Sequence, residues 1–160
     1  MPASPADVDL CLRLYEQRRD RQLRRARDWM LAFRPASFAA VKAVIDGVEG
    51  RKANRYWRMA TTYWEMIAAL MVSGGVSPEG RALFVETTRE FFFVFAKVRP
   101  FLGEIRAALS PAFMRRLEEF CVSLPEHDAL QAYFEKRSLA ASRAAAAAKA
   151  KPSTRAPRKR

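Results

Sequence analysis

Residues 51–72 read RKANRYWRMATTYWEMIAALMV, and this stretch decides the fold of the chain. Two apolar stripes run along it at spacings of three and four residues, the repeat of an α-helix. One stripe consists of Trp57, Ala60, Trp64, Ile67 and Met71, and the other of Tyr56, Met59, Tyr63, Met66 and Leu70. Because the stripes together cover most of the helix circumference, the segment predicts a central helix packed on several sides.

Helical patterns continue on both sides of this segment, and three Ser-Pro pairs, at 4–5, 77–78 and 110–111, mark helix starts. Serine caps the free amides of a first turn, and proline fits the first helical position because its missing N–H costs nothing there. The periodicity predicts a long helix from about Pro5 to Phe33 and another from about Pro78 to Val98. Shorter helices are predicted after Ser37 and, three times, after Pro100.

The aromatic run FFFVF at residues 91–95 has the propensity of a buried strand. No second strand-like segment is available to pair with it, so we expect a helix there. The sequence therefore predicts an all-α protein, with residues 1–135 forming a single-domain bundle of five to seven helices. Residues 136–160 are predicted to form a low-complexity, disordered tail rich in Ala, Lys and Arg.

The positive charge of the chain is concentrated at its carboxyl end. Of the net +12, residues 136–160 contribute +9 from nine basic and no acidic residues, and residues 1–135 contribute +3 from 20 basic and 17 acidic residues. A cationic segment binds polyanions by releasing counterions, whatever their sequence. Nucleic acid is thus a candidate partner of the tail, and the alternative is a solubilising segment that is dispensable. The tail residues predicted to make this contact are Lys149, Lys151, Arg155, Arg158, Lys159 and Arg160.

The sequence contains no recognisable catalytic or metal-binding pattern. Cys11 and Cys121 lie among apolar neighbours, as small buried hydrophobic residues do, and they indicate a reducing compartment. The sequence has a single histidine, His127, whereas a zinc site or a di-metal carboxylate site of the usual kind needs more. We expect this histidine to be solvated. No glycine-rich phosphate-binding loop is present. We expect a protein that is not an enzyme and uses no metal or cofactor.

The chain shows no predicted membrane span or secretory signal. Its first ten residues carry Asp7 and Asp9 and no Lys or Arg, the opposite of a signal sequence. The uncharged stretch from Met66 to Pro78 is too short to cross a bilayer. The tail has no bulky apolar residues after Leu139, and we therefore expect no stable membrane insertion. We expect a cytoplasmic protein, and the heavy use of Ala and Arg indicates a bacterial genome.

The start of the central helix carries a candidate anion-binding cluster: Arg51, Lys52, Arg55 and Arg58. Cations at a helix amino terminus oppose the helix dipole, and a bound phosphate or carboxylate would compensate them. In the alternative interpretation the helix begins near Asn54, and the first two cations lie in a loop.

A narrow polar strip, Arg58, Thr62 and Glu65, runs along the same helix. It is either a small polar binding site or, in the interpretation that we favour, an internal ion pair or the solvated edge of the helix.

The motif NRYWRM (54–59) followed by YWEM (63–66) resembles the core of a family of small bacterial proteins of unknown function. Two further pieces are similar: RARDW (25–29), and FAK (95–97) with PFL (100–102). The resemblance covers roughly Leu12 to Leu124 and leaves out the tail. It implies an all-helical fold and supplies no activity, cofactor or site residue.

Together these observations predict a non-enzymatic helical interaction module whose basic tail adds non-specific electrostatic affinity for nucleic acid or another polyanion. One alternative is an accessory domain that binds an unknown protein partner and has a dispensable tail. A further alternative is a small-anion-binding protein or enzyme that uses Arg55, Arg58 and Glu65.

Overall fold

A computed structural model describes residues 2–137, and every regular element within this range is helical. The helices are α1 (Pro5–Gln17), α2 (Arg21–Ala32), α3 (Phe38–Ile45), α4 (Arg51–Val72), α5 (Pro78–Thr87), α6 (Glu90–Val98), α7 (Leu102–Ala108), α8 (Arg115–Val122) and α9 (residues 127–137). A 3₁₀ turn, Arg99–Phe101, joins α6 to α7. The predicted all-α class is confirmed. The predicted tail lies outside the described residues from position 138 onward.

The chain is divided into more helices than predicted because the two long helices are each broken by a corner. The first breaks at residues 18–20, where the Asp20 carboxylate accepts hydrogen bonds from the backbone N–H groups of Gln22 (2.9 Å) and Leu23 (2.8 Å) and caps α2. The second breaks at Thr88, whose backbone is extended. Helical periodicity continues through both corners, so the pattern alone did not reveal them.

Helix α4 has the predicted bounds and lies at the centre of the fold, between α2 and α8. The first predicted stripe is fully buried, with no member more than 2% exposed: Trp57, Ala60, Trp64, Ile67 and Met71. The second stripe is buried only in part. Tyr56 and Tyr63 are buried against α2, whereas Met66 and Leu70 are 43% and 37% exposed. One face of the central helix is therefore open to solvent along its whole length.

The aromatic run on α6 is helical, as expected, and it builds the core beside α4. The ring centre of Phe91 lies 5.0 Å from that of Phe120 of α8 and 5.8 Å from that of Phe84 of α5, and both pairs are tilted. On the other side of α4, Trp29 near the end of α2 packs on Tyr56 near the start of α4, at 6.5 Å. The aromatic side chains thus join α4 and its neighbours into one hydrophobic core.

Helices α1 and α5 begin at a shared carboxylate. Ser4 and Ser77 cap the two helices, and Asp7 accepts hydrogen bonds from both hydroxyls, each at 2.7 Å. Asp7 also accepts from the backbone N–H groups of Ser4 (3.1 Å) and Ser77 (3.3 Å). The third position of α5, where a capping box carries its own acid, is Gly80, and Asp7 replaces that acid from another helix. The hydrogen bonds, led by those of the serine hydroxyls, lower the pKa of Asp7 to about 2.

Candidate functional site

The predicted anion cluster lies in the first two turns of α4. The helix begins at Arg51, directly after Gly50, whose φ of 95° is accessible to glycine at little cost and which offers no side chain as a cap. The alternative start near Asn54 is therefore not observed, and Arg51 and Lys52 belong to the helix. All four cations, Arg51, Lys52, Arg55 and Arg58, are exposed.

These four cations, here called the α4 cation surface, are not neutralised by the rest of the domain. None of them lies within 4.0 Å of a carboxylate in residues 2–137, where nine other cations do form ion pairs. Lys52 and Arg55 place their charges 5.7 and 5.9 Å from the ring centre of Tyr56. Arg51 and Arg55 are one turn apart and repel each other. The surface is therefore suited to contact an anion with several charges.

The structure separates the members of the predicted polar strip. The Thr62 hydroxyl donates to the Arg58 backbone carbonyl at 2.6 Å, and both side chains are exposed. The Glu65 carboxylate accepts from the backbone N–H groups of Arg116 (3.0 Å) and Leu117 (2.9 Å). Arg58 and Thr62 thus form a solvated edge, while Glu65 caps α8. No contact within residues 2–137 joins Arg58 to Glu65.

Helix α8 needs this cap from another helix because its own preceding residue cannot provide one. Met114 occupies the N-cap position with a left-handed φ of 51° and makes no side-chain cap. Glu65 therefore satisfies two of the free amides in the first turn of α8. For Glu65 the sequence left open an internal ion pair or the solvated edge of α4. Its side chain is in fact partly buried, and its partners are backbone amides 51 and 52 residues away, which no sequence signal marks.

The sequence analysis also missed a buried charge cluster. Glu90, the first residue of α6, accepts from Arg27 Nε at 2.6 Å and from Arg18 at 3.1 Å, and Arg27 makes a second, parallel contact. The three side chains are only 12–19% exposed. Beside them the Tyr63 hydroxyl donates to the Leu14 carbonyl at 3.0 Å, and burial raises the pKa of Tyr63 to about 12. The cluster joins α1, α2 and α6 and has a structural role. The only sequence signal for it is an isolated acid in front of an aromatic run.

Lys97 of α6 is a further buried cation, and its amine lies against the end of α2. Lys97 of α6 is 6% exposed, and its Nζ donates to the carbonyls of Met30 (2.5 Å) and Leu31 (3.0 Å). The same nitrogen lies 4.4 Å from the ring centre of Phe93. Burial, with a smaller contribution from the charge of Arg34, lowers the pKa of Lys97 to about 7. A neutral amine still has two N–H groups, which satisfies both carbonyls.

The remaining reactive residue types lie in structural settings. Cys121 is buried and Cys11 partly buried, both are free thiols, and burial raises the pKa of each. His127 was expected to be solvated, but it is partly buried. Its ring centre lies 5.6 Å from that of Phe92, and its Nδ1 is hydrogen-bonded to the Cys121 carbonyl at 3.0 Å. Residues 2–137 contain no group of three or more His, Cys, Asp or Glu side chains placed to hold a metal ion.

None of the helices in the described part of the chain is long and apolar enough to cross a membrane. Comparison with protein families gives a match over residues 3–123 to the family described as "Domain of unknown function (DUF4760)". The chain belongs to this family. Membership confirms the resemblance to a family of unknown function. Comparison with curated proteins and with solved structures found no significant match.

The DUF4760 match contains helices α1 to α8 and ends before α9. The shared cap at Asp7, the cluster around Glu90, buried Lys97 and the α4 cation surface therefore all lie within the matched segment. Arg137 and the basic tail lie beyond it.

Proposed function

We propose that this DUF4760 protein is a non-enzymatic helical interaction module of the cytoplasm that binds nucleic acid or another polyanion electrostatically. The basic segment 136–160 would supply most of the affinity, and the α4 cation surface would add a contact on the folded body. One observation carries the proposal: exposed cations without a carboxylate partner lie on the body of a chain whose last 25 residues already carry +9.

The charge distribution supports a polyanion rather than a single small anion. The α4 cations are exposed and spread over two helical turns, from Arg51 to Arg58, instead of converging on one point. Such an array follows a row of phosphates, and the free energy gained comes from the counterions that the phosphates release. Some exposed cations elsewhere on the domain, such as Arg13 and Lys42, do pair with nearby acids, and their charges are already offset.

The proposal is tested with three charge variants of the full chain. The tail variant replaces Lys149, Lys151, Arg155, Arg158, Lys159 and Arg160 with Gln. The surface variant is R51Q/K52Q/R55Q/R58Q. The matched control, R13Q/R19Q/K42Q/R116Q, removes the same charge from exposed cations that are already paired. Fluorescence anisotropy with a duplex DNA and a single-stranded RNA across a salt series gives the slope of log K against log salt.

Each phosphate contact contributes about 0.9 to that slope on duplex DNA. We expect the magnitude of the slope to fall by up to about 5 in the tail variant and by up to about 3.6 in the surface variant. The control variant should change the slope little. Binding should show no preference for the nucleic-acid sequence. If the wild-type chain does not bind at physiological salt, the polyanion proposal is wrong. If the control weakens binding as much as the surface variant, only net charge matters and the α4 surface is not a contact.

An apolar surface on α1 favours the alternative, a domain that binds a protein partner. Val8, Leu12 and Tyr15 recur at helical spacing and are 40%, 60% and 62% exposed. Binding of this kind would be insensitive to salt and to the tail variant, and L12D would abolish it. The third alternative, a small-anion site that uses Arg55, Arg58 and Glu65, has less support because Glu65 is engaged in capping α8.

A further inference from the structure

A pocket of about 380 Å³ lies where the end of α2, the start of α6 and the end of α9 meet. We call it the arginine pocket. Its lining residues are Leu31, Arg34, Arg89, Glu90, Phe93, Phe134 and Arg137. The volume is in the range that holds a small organic molecule. None of the residues predicted from the sequence as a site lies in it.

The pocket has an excess of positive charge. Three of its lining side chains are guanidinium groups and one is a carboxylate, and that carboxylate, Glu90, is already bonded to Arg18 and Arg27. Its negative charge is thus engaged on the interior side of the pocket. Glu90 therefore offsets little of the positive charge of the three arginines, here called the rim arginines.

The rim arginines retain N–H donors that a ligand can use. Arg34 bonds the carbonyls of Leu31 and Phe33, and Arg137 bonds the Tyr133 hydroxyl at 3.1 Å, all neutral acceptors. Of the three, only Arg89 has a carboxylate partner within residues 2–137, Glu126 at 3.5 Å, and both of these side chains are 40–49% exposed. A guanidinium carries five N–H donors and binds carboxylate or phosphate with two of them in parallel. An anion that enters the pocket can therefore be bound by several arginines at once.

The floor of the pocket is aromatic. The rings of Phe93 and Phe134 meet edge to face with centres 5.4 Å apart, and both are only partly buried. Behind Phe93 lies the buried amine of Lys97, whose pKa is lowered in part by the charge of Arg34. In its protonated form this amine adds to the positive potential of the region. The pocket thus offers a ligand both aromatic rings and guanidinium groups.

We propose that the arginine pocket binds a small organic anion in which a carboxylate or a phosphate group is attached to an aromatic ring. The anionic group lies between Arg34, Arg89 and Arg137, and the ring lies on Phe93 and Phe134. This site is separate from the α4 cation surface and does not depend on polyanion binding.

The test uses the full chain and four probes: phenyl phosphate, benzoate, inorganic phosphate and phenol, titrated by calorimetry. All four are also titrated into the tail variant, which removes non-specific anion binding by the tail. We expect phenyl phosphate or benzoate to bind at least tenfold more tightly than phenol and than inorganic phosphate, with and without the tail charges. The tighter of the two identifies which anionic group the site prefers.

Variants then locate the site. R34Q and R89Q should each weaken binding by about tenfold or more, because each removes one charged pair of hydrogen bonds. R13Q, an exposed arginine paired with Asp9 on α1, removes the same charge and should have no effect. Unchanged thermal midpoints confirm that the variants fold, since the Arg34 side chain is exposed and makes no tertiary ion pair in residues 2–137.

The buried amine provides a second readout. In NMR spectra with Lys97 labelled at Cε, bound phenyl phosphate should raise the apparent pKa of this amine, because the anion offsets the charge of Arg34. The proposal is overturned if the R34Q and R13Q variants bind the tighter of the two aromatic anions equally, if phenol binds as well as that anion, or if neither anion binds at about 1 mM. An unmoved Lys97 titration at saturating phenyl phosphate places the ligand elsewhere and overturns the assignment as well.

Discussion

Substitution of Gly80 with Ala should destabilise the domain, although Gly80 lies inside a helix. Within a helix, replacing Gly with Ala ordinarily stabilises by about 1 kcal/mol, since Gly loses the most conformational entropy on folding. A Cβ atom at Gly80, however, would lie 2.5 Å from Cγ, 2.7 Å from Cβ and 2.7 Å from Oδ1 of Asp7. Asp7 cannot move aside without losing its hydrogen bonds to Ser4 and Ser77.

The expected magnitude follows from these two opposing effects. Overpacking a well-packed site costs about 1–3 kcal/mol, and contacts this short lie at the upper end of that range. After subtracting the gain in helix propensity, G80A should lose about 2 kcal/mol of unfolding free energy. For a chain of this size that corresponds to a fall in Tm of about 4–8 °C.

Gly103 provides the matched control, because it lies in α7 and a Cβ there would meet no atom within 4 Å. G103A should therefore be neutral or raise stability by up to about 1 kcal/mol. Thermal and urea unfolding followed by circular dichroism at 222 nm measures both variants against the wild-type chain. If G80A is as stable as G103A, the packing of Asp7 against α5 described above is incorrect.

Three further predictions concern other helix contacts. Glu65→Ala should cost about 1–2 kcal/mol in urea unfolding because α8 loses its cap, whereas Glu119→Ala, which removes only an exposed ion pair, should cost less than about 1 kcal/mol. The pKa of Asp7 is lowered to about 2, so the contribution of its carboxylate to stability is complete above about pH 4 and is lost as the pH falls towards 2. Asp7→Asn should therefore remove this part of the acid dependence of unfolding. An unchanged midpoint of acid denaturation would contradict the prediction. Lys97 has its pKa lowered to about 7, so the unfolded chain binds more protons than the folded one between pH 7 and 10, and stability should rise with pH over this range. Lys97→Met should flatten that rise and Lys42→Met should leave it intact; a rise that survives in K97M would have another source.

Local features of the fold were predictable from the sequence. The bounds of α4 follow from its apolar stripes, and the starts of α1 and α5 follow from Ser-Pro pairs, because periodicity and capping act within a few residues. The third pair, at 110–111, was wrongly predicted to start a helix: turns follow it, and α8 begins only at Arg115. The same reasoning extended two helices through the corners at residues 18–20 and at Thr88, because charged and polar residues continue the helical pattern there.

The tertiary partners were not predictable in the same way. Glu65 was recognised as a polar residue on a mostly apolar helix, yet its partners are backbone amides near residue 116, which no side-chain pattern marks. The arginine pocket likewise assembles Arg34, Arg89 and Arg137 from three separate helical regions. Pairing across 50 or more residues depends on topology, and a single sequence does not supply topology.

The salt bridges of Glu90 also bear on the order in which the domain is assembled during translation. Arg18 lies in the corner between α1 and α2 and Arg27 lies within α2, and both bind a carboxylate that is added 72 and 63 residues later. On a ribosome that has not yet released Glu90, the two arginines have no such counterion, and the corner is held by its local hydrogen bonds, including those of the Asp20 cap. The amino-terminal helices are thus synthesised first, but their salt bridges to Glu90 form only after α6 has emerged. Co-translational folding of this domain is therefore completed only after the middle of the chain has been synthesised.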